Sequence, residues 1–171
     1  RVDGEFPENE DDVFIPMALA TKAVNTEPLE HCSPARISIG CDVARFGNDD
    51  TAIAQNIDGD IQKLVTRHGQ DLYATADDII AIYKTLRAAY PQYRGLIYAV
   101  IDDTGVGGGV TDILNREKIR QKLTKLMVVP VNFSSVVPDK EAAGRYADIA
   151  TWMWAVLRDM ATAGTLHIPN D

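Results

Sequence analysis

The chain has 171 residues, 46% of them hydrophobic, and a formal charge of -8 from 17 Lys and Arg against 25 Asp and Glu. Those figures describe one globular domain and exclude a disordered chain, and no apolar run approaches the roughly 20 residues of a membrane-spanning helix. The acidic balance argues against a protein that coats nucleic acid by neutralising phosphates, yet it suits an enzyme that gathers carboxylates around divalent cations.

Arg1 opens the sequence without an initiator Met, and residues 1–12 lack the basic start and apolar core of a signal peptide, so the chain reads as a piece of a longer intracellular protein. Residues 5–12 are acidic and interrupted by Pro7, and residues 26–34 hold two prolines. The weakly amphipathic stretch 13–24 between them predicts one helix. Residues 1–35 are thus expected to be a linker and residues 36–171 the domain. The two cysteines, Cys32 and Cys41, form neither a disulfide framework nor a C-x-x-C site.

In residues 36–44, Ile37, Ile39, Cys41 and Val43 alternate with Ser38, Gly40 and Asp42, the period-two pattern of a strand. Residues 51–57 and 60–66 predict two more strands, joined by Asp58-Gly59, a strong hairpin signal. Thr75 and Asp78 predict a capping box for a helix over 74–90, with Ile79, Ile82, Tyr83, Leu86 and Tyr90 on one face and Pro91 as its stop. The continuous apolar run 96–101 suits a strand covered on both faces, and it ends at Asp102. A helix is expected from the glycine run toward Lys118, carrying Val110, Ile113 and Leu114 inward. Residues 126–133 predict a further strand. Pro130 lacks an amide hydrogen, so this strand should lie at a sheet edge. The last helix, residues 145–163, is expected to face the core with Ile149, Trp152, Met153, Val156 and Met160 and to stop at Gly164.

Hairpins join antiparallel neighbours, and helices supply right-handed crossovers to parallel ones. The order therefore predicts an α/β fold: a mixed five-stranded sheet, 3-2-1-4-5, second strand antiparallel, flanked by helices. In that sheet the first and fourth strands are parallel neighbours, so Asp42 and Asp102 emerge together at their C-terminal ends. Alone, Asp42 would read as an Asp accepting turn hydrogen bonds. Two close carboxylates instead raise each other's pKa unless a cation sits between them, and a magnesium or manganese site resolves that. Asp103, beside Asp102, is a further candidate ligand.

Gly105, Gly107 and Gly108 follow in Asp102-Asp103-Thr104-Gly105-Val106-Gly107-Gly108-Gly109-Val110. The bland reading is a tight strand-to-helix turn. A dinucleotide site is discounted, because Val110 holds the place of the last glycine of G-x-G-x-x-G and the motif follows the fourth strand. The glycines would let backbone amides approach a phosphate. No P-loop motif occurs, and no Ser, Cys and His set forms a nucleophile. His31, His68 and His167 are too dispersed for a zinc site and are expected at the surface or as caps. The basic run Arg116, Lys118, Arg120, Lys122 and Lys125 usually marks a solvated face; here it is a candidate for weak phosphate contact, with Arg45 and Arg67.

These motifs resemble a family, the C-terminal nuclease domain of the large terminase subunit of tailed bacteriophages and prophages. Gly40-Cys41-Asp42-Val43-Ala44-Arg45-Phe46-Gly47-Asn48-Asp49-Asp50-Thr51-Ala52 is similar to the family's G-x-D-x-A-R-x-G-x-D-x-T-A. Residues 101–114 resemble its V-D-x-x-G-V-G-x-G-V-x-D-x-L, residues 2–7 the segment leaving an upstream ATPase domain, and residues 164–171 the approach to its L-P-x-D. The resemblance implies a ribonuclease H-like fold that cuts concatemeric double-stranded DNA during genome packaging, with two Mg2+ or Mn2+ ions on an acidic triad. Asp42 would bridge both ions and Asp102 would hold one. It also implies the portal protein and the small terminase subunit as partners, no membrane, and the host cytoplasm as location. The family's third acid lies downstream of L-P-x-D, and this chain stops at Asp171; the expectation is a nuclease domain truncated at its C-terminus, with little or no cleavage of its own. Competing readings are an actin-like ATPase lobe, a Holliday-junction resolvase acting on branched DNA, and a non-catalytic docking module.

Overall fold

The computed structural model describes residues 13–28, 30–44 and 49–170. Arg45 and the segment 2–7 lie outside the described residues. The elements are α1 (Met17–Asn25), β1 (Ile37–Asp42), β2 (Asp50–Ile57), β3 (Asp60–His68), α2 (Leu72–Ala89), β4 (Ile97–Asp102), α3 (Gly107–Arg120), β5 (Leu126–Val131) and α4 (Ile149–Ala163).

The sheet runs β3-β2-β1-β4-β5. β2 is antiparallel to β1 and β3, while β4 is parallel to β1 and β5, as the alternation of hairpins and helices requires. At the β2–β3 turn both Asp58 and Gly59 have positive φ, 55° and 96°, the backbone that matches a right-handed strand twist. β5 is one of the two edge strands, and Pro130 sits in it opposite Ile101.

One face of the sheet supplies Ile37, Ile39, Ile53, Ile57, Ile97, Ala99, Ile101 and Leu126 to the main core, against Ile79, Tyr83 and Leu86 of α2 and Val110 and Leu114 of α3. Each fully buried aliphatic side chain contributes about 1.5–3 kcal/mol, so this face dominates the fold's stability. A second cluster joins Ala23 of α1, Ala161 of α4 and Leu166, with Ile61, Leu157 and Met160 around them. α1 thus packs on α4, and the Lys22 ammonium donates to the Thr162 carbonyl at 2.6 Å.

Several local expectations are corrected. α2 begins earlier than the Thr75–Asp78 box predicts: Asp71 is its cap, accepting from the Ala74 amide at 2.8 Å, while the Thr75 hydroxyl donates back to the Asp71 carbonyl. Asp78 instead accepts from Arg67 and Gln70. β4 alternates, with Tyr98 and Val100 only half-buried between buried Ile97, Ala99 and Ile101, so only one of its faces is sealed. In α4 the expected core residues Met153 and Val156 are 39% and 42% exposed, and Ala155 and Ala161 are buried instead. α4 is apolar nearly all round, and its contact with α1 settles its orientation where periodicity could not.

The histidines depart furthest from expectation. Asp60 is 1% exposed, and its carboxylate accepts hydrogen bonds from His31 Nε2 at 2.9 Å and from His167 Nδ1. His68 stays at the surface, paired with Asp50.

Candidate active site

Cys41 and Ile101 form the last parallel rung between β1 and β4, and both are buried in the core. The next residue on each strand is Asp42 and Asp102. Because side chains alternate along a strand, both carboxylates fall on the face opposite the main core, on neighbouring strands about 4.8 Å apart. Asp42 is exposed and Asp102 half-buried.

The electrostatics agree with this placement. Desolvation pushes the Asp42 carboxyl above the ordinary range, and the Asp102 and Asp49 carboxylates push it further. The Cys41 thiol is pushed up to about 12, first by burial and then by the Asp42 and Asp102 charges. A cation between the two acids would relieve their repulsion, and hard carboxylate oxygens suit Mg2+ or Mn2+. The donor set therefore fits part of a divalent-cation site. Among the described residues no group of three His, Cys, Asp or Glu is placed to hold a metal ion.

The segment after β4 is tightly wired. Asp102 accepts from the Thr104 amide at 2.8 Å, and the Thr104 hydroxyl accepts from the Phe133 amide at 3.2 Å, linking the acid to the exit of β5. Asp103 turns toward α3: its carboxylate accepts from the Thr111 hydroxyl at 3.0 Å, and its amide donates to the Val131 carbonyl. Gly105 has φ 88°. A Cβ at Gly107 would lie 1.7 Å from the Asp102 carbonyl oxygen, so α3 can start this close to β4 only on a glycine. Gly108 lies over Asp103, where a Cβ would be 3.5 Å from its carboxylate.

The basic candidates are not gathered here. Arg116, Lys118 and Arg120 lie about 14–20 Å along α3 from Gly107 at 1.5 Å per residue. The Arg116 guanidinium stacks over Tyr73 at 5.5 Å, Arg116 and Arg120 both pair with Glu117, and Arg67 pairs with Asp78. Thr51, Thr104 and Thr111 lie within the two motifs but carry no signal in the sequence, because their roles depend on tertiary contacts.

No family model matches the sequence, and no curated protein matches it. Among solved structures, the nuclease domain of the large terminase subunit gp2 of bacterial virus Sf6 superposes with a TM-score of 0.65 at 16% identity, over 90% of this chain and 66% of that one. A mutant of the same domain with manganese and β-thujaplicinol gives 0.65 at 14% identity. The large terminase nuclease of thermophilic phage G20c gives 0.50 at 17% identity, over 80% of this chain and 59% of that one. The chain has the fold of a phage large-terminase nuclease domain. It spans 66% of the length of the Sf6 domain. In this ribonuclease H-like terminase-nuclease fold the sheet order is the one expected, and Asp42 and Asp102 end its two central parallel strands.

Proposed function

We propose that this chain is the nuclease domain of a phage or prophage large terminase subunit, hydrolysing phosphodiester bonds of double-stranded DNA during genome packaging. The observation that carries the reading is the pair of carboxylates, Asp42 and Asp102, ending adjacent parallel strands in a terminase-nuclease fold. Supporting it, a neighbour of the same fold is a nuclease domain with manganese.

Asp42 and Asp102 would hold the divalent cations; Asp103, whose carboxylate accepts from the Thr111 hydroxyl, is the lesser candidate ligand. When bound, the cations supply Lewis-acid stabilisation of the attacked phosphate and of the leaving 3′ oxygen. The protein's own part is positional. Thr104 orients Asp102 through its amide, and Gly105, Gly107 and Gly108 let the backbone come close to a DNA phosphate. Arg45, Arg116, Lys118 and Arg120 are proposed as weak phosphate contacts, acting through charge rather than sequence readout. The upstream terminase ATPase domain, the portal protein and the small subunit are proposed partners, and the host cytoplasm the place of action. No helix among the described residues is long and apolar enough to cross a membrane.

Among the described residues no third His, Cys, Asp or Glu joins Asp42 and Asp102 in a group placed to hold a metal ion. We infer weak metal binding and little cleavage by this chain alone, with a non-catalytic docking module as the alternative. Manganese titration by calorimetry on the chain and on Asp42→Asn, with plasmid cleavage by a longer version, tests both. Metal binding lost in Asp42→Asn together with cleavage by the longer protein supports the nuclease. Equal binding by both and no cleavage supports the docking module.

A further inference from the structure

We propose that Thr51 is a positioning residue that holds Asp42 in place where its strand leaves the sheet; this rests on Asp42 being a metal ligand. The β1–β4 ladder stops at Cys41, so beyond that rung Asp42 is held by the sheet only through its pairing with Ala52. It therefore stands at a strand end, beside Asp102 at the end of the neighbouring strand. A frayed strand end would let the acids part.

Thr51 opposes that movement. Its side chain is 1% exposed, and its hydroxyl makes two hydrogen bonds to one residue, accepting from the Ala44 amide at 3.1 Å and donating to the Ala44 carbonyl at 3.0 Å. Ala44 lies two residues past Asp42, just where the ladder has run out. The hydroxyl thus replaces the missing backbone rungs with a side-chain clamp. Its neighbour on the same face of β2 is Ile53, fully buried in the core. Packing at position 51 would be served equally by Val, whose shape is nearly the same, and a buried hydroxyl is costly unless it is bonded. The choice of Thr there is explained by the two bonds to Ala44.

The test is manganese affinity, read by electron paramagnetic resonance on the purified chain, for the wild type, Thr51→Val, Thr51→Ser and Asp42→Asn. Loss of a group that orients a metal ligand typically weakens affinity 10–100-fold. Thr51→Val is expected to weaken manganese binding about tenfold, with Thr51→Ser close to wild type because the hydroxyl is retained. If Thr51→Val does not fold, the comparison of Thr51→Ala with Thr51→Ser isolates the hydroxyl in the same way. Asp42→Asn weakened while Thr51→Val (or Ala) binds normally overturns the positioning role and leaves the metal site standing. Equal loss in the Ser and Val (or Ala) variants also overturns it, since packing of the methyl would then be the cause. Asp42→Asn binding like wild type, or no manganese bound by the wild type at millimolar concentration, overturns the metal reading itself and the proposal with it. Hydrogen exchange at the Ala44 amide supplies a metal-free readout: protection is expected to fall in Thr51→Val and persist in Thr51→Ser.

Discussion

Asp42 and Asp102 each stand one residue past Cys41 and Ile101, the last rung of the parallel ladder between the two central strands. Cys41 and Ile101 point into the core, so the acids point away from it, side by side on the other face. The sheet spends stability to hold them there, because desolvation and like charge raise the Asp42 pKa.

That cost has a sign that can be measured. An acid whose pKa is raised in the folded state favours folding while protonated; the contribution is present below the ordinary carboxylate range and is lost as pH rises through the raised value. At neutral pH without metal, Asp42 is therefore a destabilising residue. Asp42→Asn is expected to melt on the order of 2 °C higher than wild type at pH 7, with the gap closing toward pH 3 and reversing when manganese is added. Thermal melts at the two pH values, with and without the ion, check this. A lower melting temperature for the mutant at pH 7 without metal would contradict it.

Gly107 is required by contact, since a Cβ there would meet the Asp102 carbonyl oxygen at 1.7 Å. Gly107→Ala must push α3 away from β4 and should cost about 2–3 kcal/mol, the upper part of the range for overpacked sites. Gly105 has open space around it and only a positive φ of 88° to lose, so Gly105→Ala should cost about 1–2 kcal/mol. Urea denaturation of the two variants ranks them. If Gly107→Ala proves the milder change, the close approach of helix and strand is refuted.

Asp60 ties together three distant parts of the chain: His31 before β1, the β2–β3 hairpin, and His167 after α4. The Ile61 amide donates to the His167 carbonyl, and the His167 amide to the Gly59 carbonyl, so the same region is also sewn by backbone. Asp60→Ala leaves two imidazoles without their acceptor and is expected to cost about 2–4 kcal/mol. Chemical denaturation gives the magnitude. Hydrogen exchange should show the Ile61 and His167 amides losing protection together, whereas an isolated surface pair would leave them unchanged.

The two thiols should differ sharply in reactivity. Cys41 is buried and its pKa is pushed up to about 12, while Cys32 is exposed. Since the thiolate is the reactive form, iodoacetamide at pH 8 should label Cys32 and leave Cys41 untouched in the folded protein. Peptide mass spectrometry reads the site directly. Labelling of Cys41 without denaturant would mean that the core rung beneath the acids opens.

How much was legible in the sequence depended on how local each signal was. Alternation over residues 37–43, Asp58-Gly59 and Pro130 each restrict the backbone within a few residues, and the hairpin and crossover rules then leave few sheet orders. The convergence of Asp42 and Asp102 followed from that order alone. The tertiary structure decided what local patterns leave open. α4 carries apolar residues on most of its circumference, so only packing on α1 could orient it. The Asp60 partners are 29 and 107 residues away in sequence, and a histidine signals nothing until a buried carboxylate meets it. Thr51 and Ala44 are seven residues apart, and a threonine in a strand reads as ordinary β-propensity until its hydroxyl is seen to close on a particular backbone. Periodicity and turn chemistry act through backbone sterics and are written locally; hydrogen bonds between distant segments depend on where the fold brings them, and only the folded chain decides them.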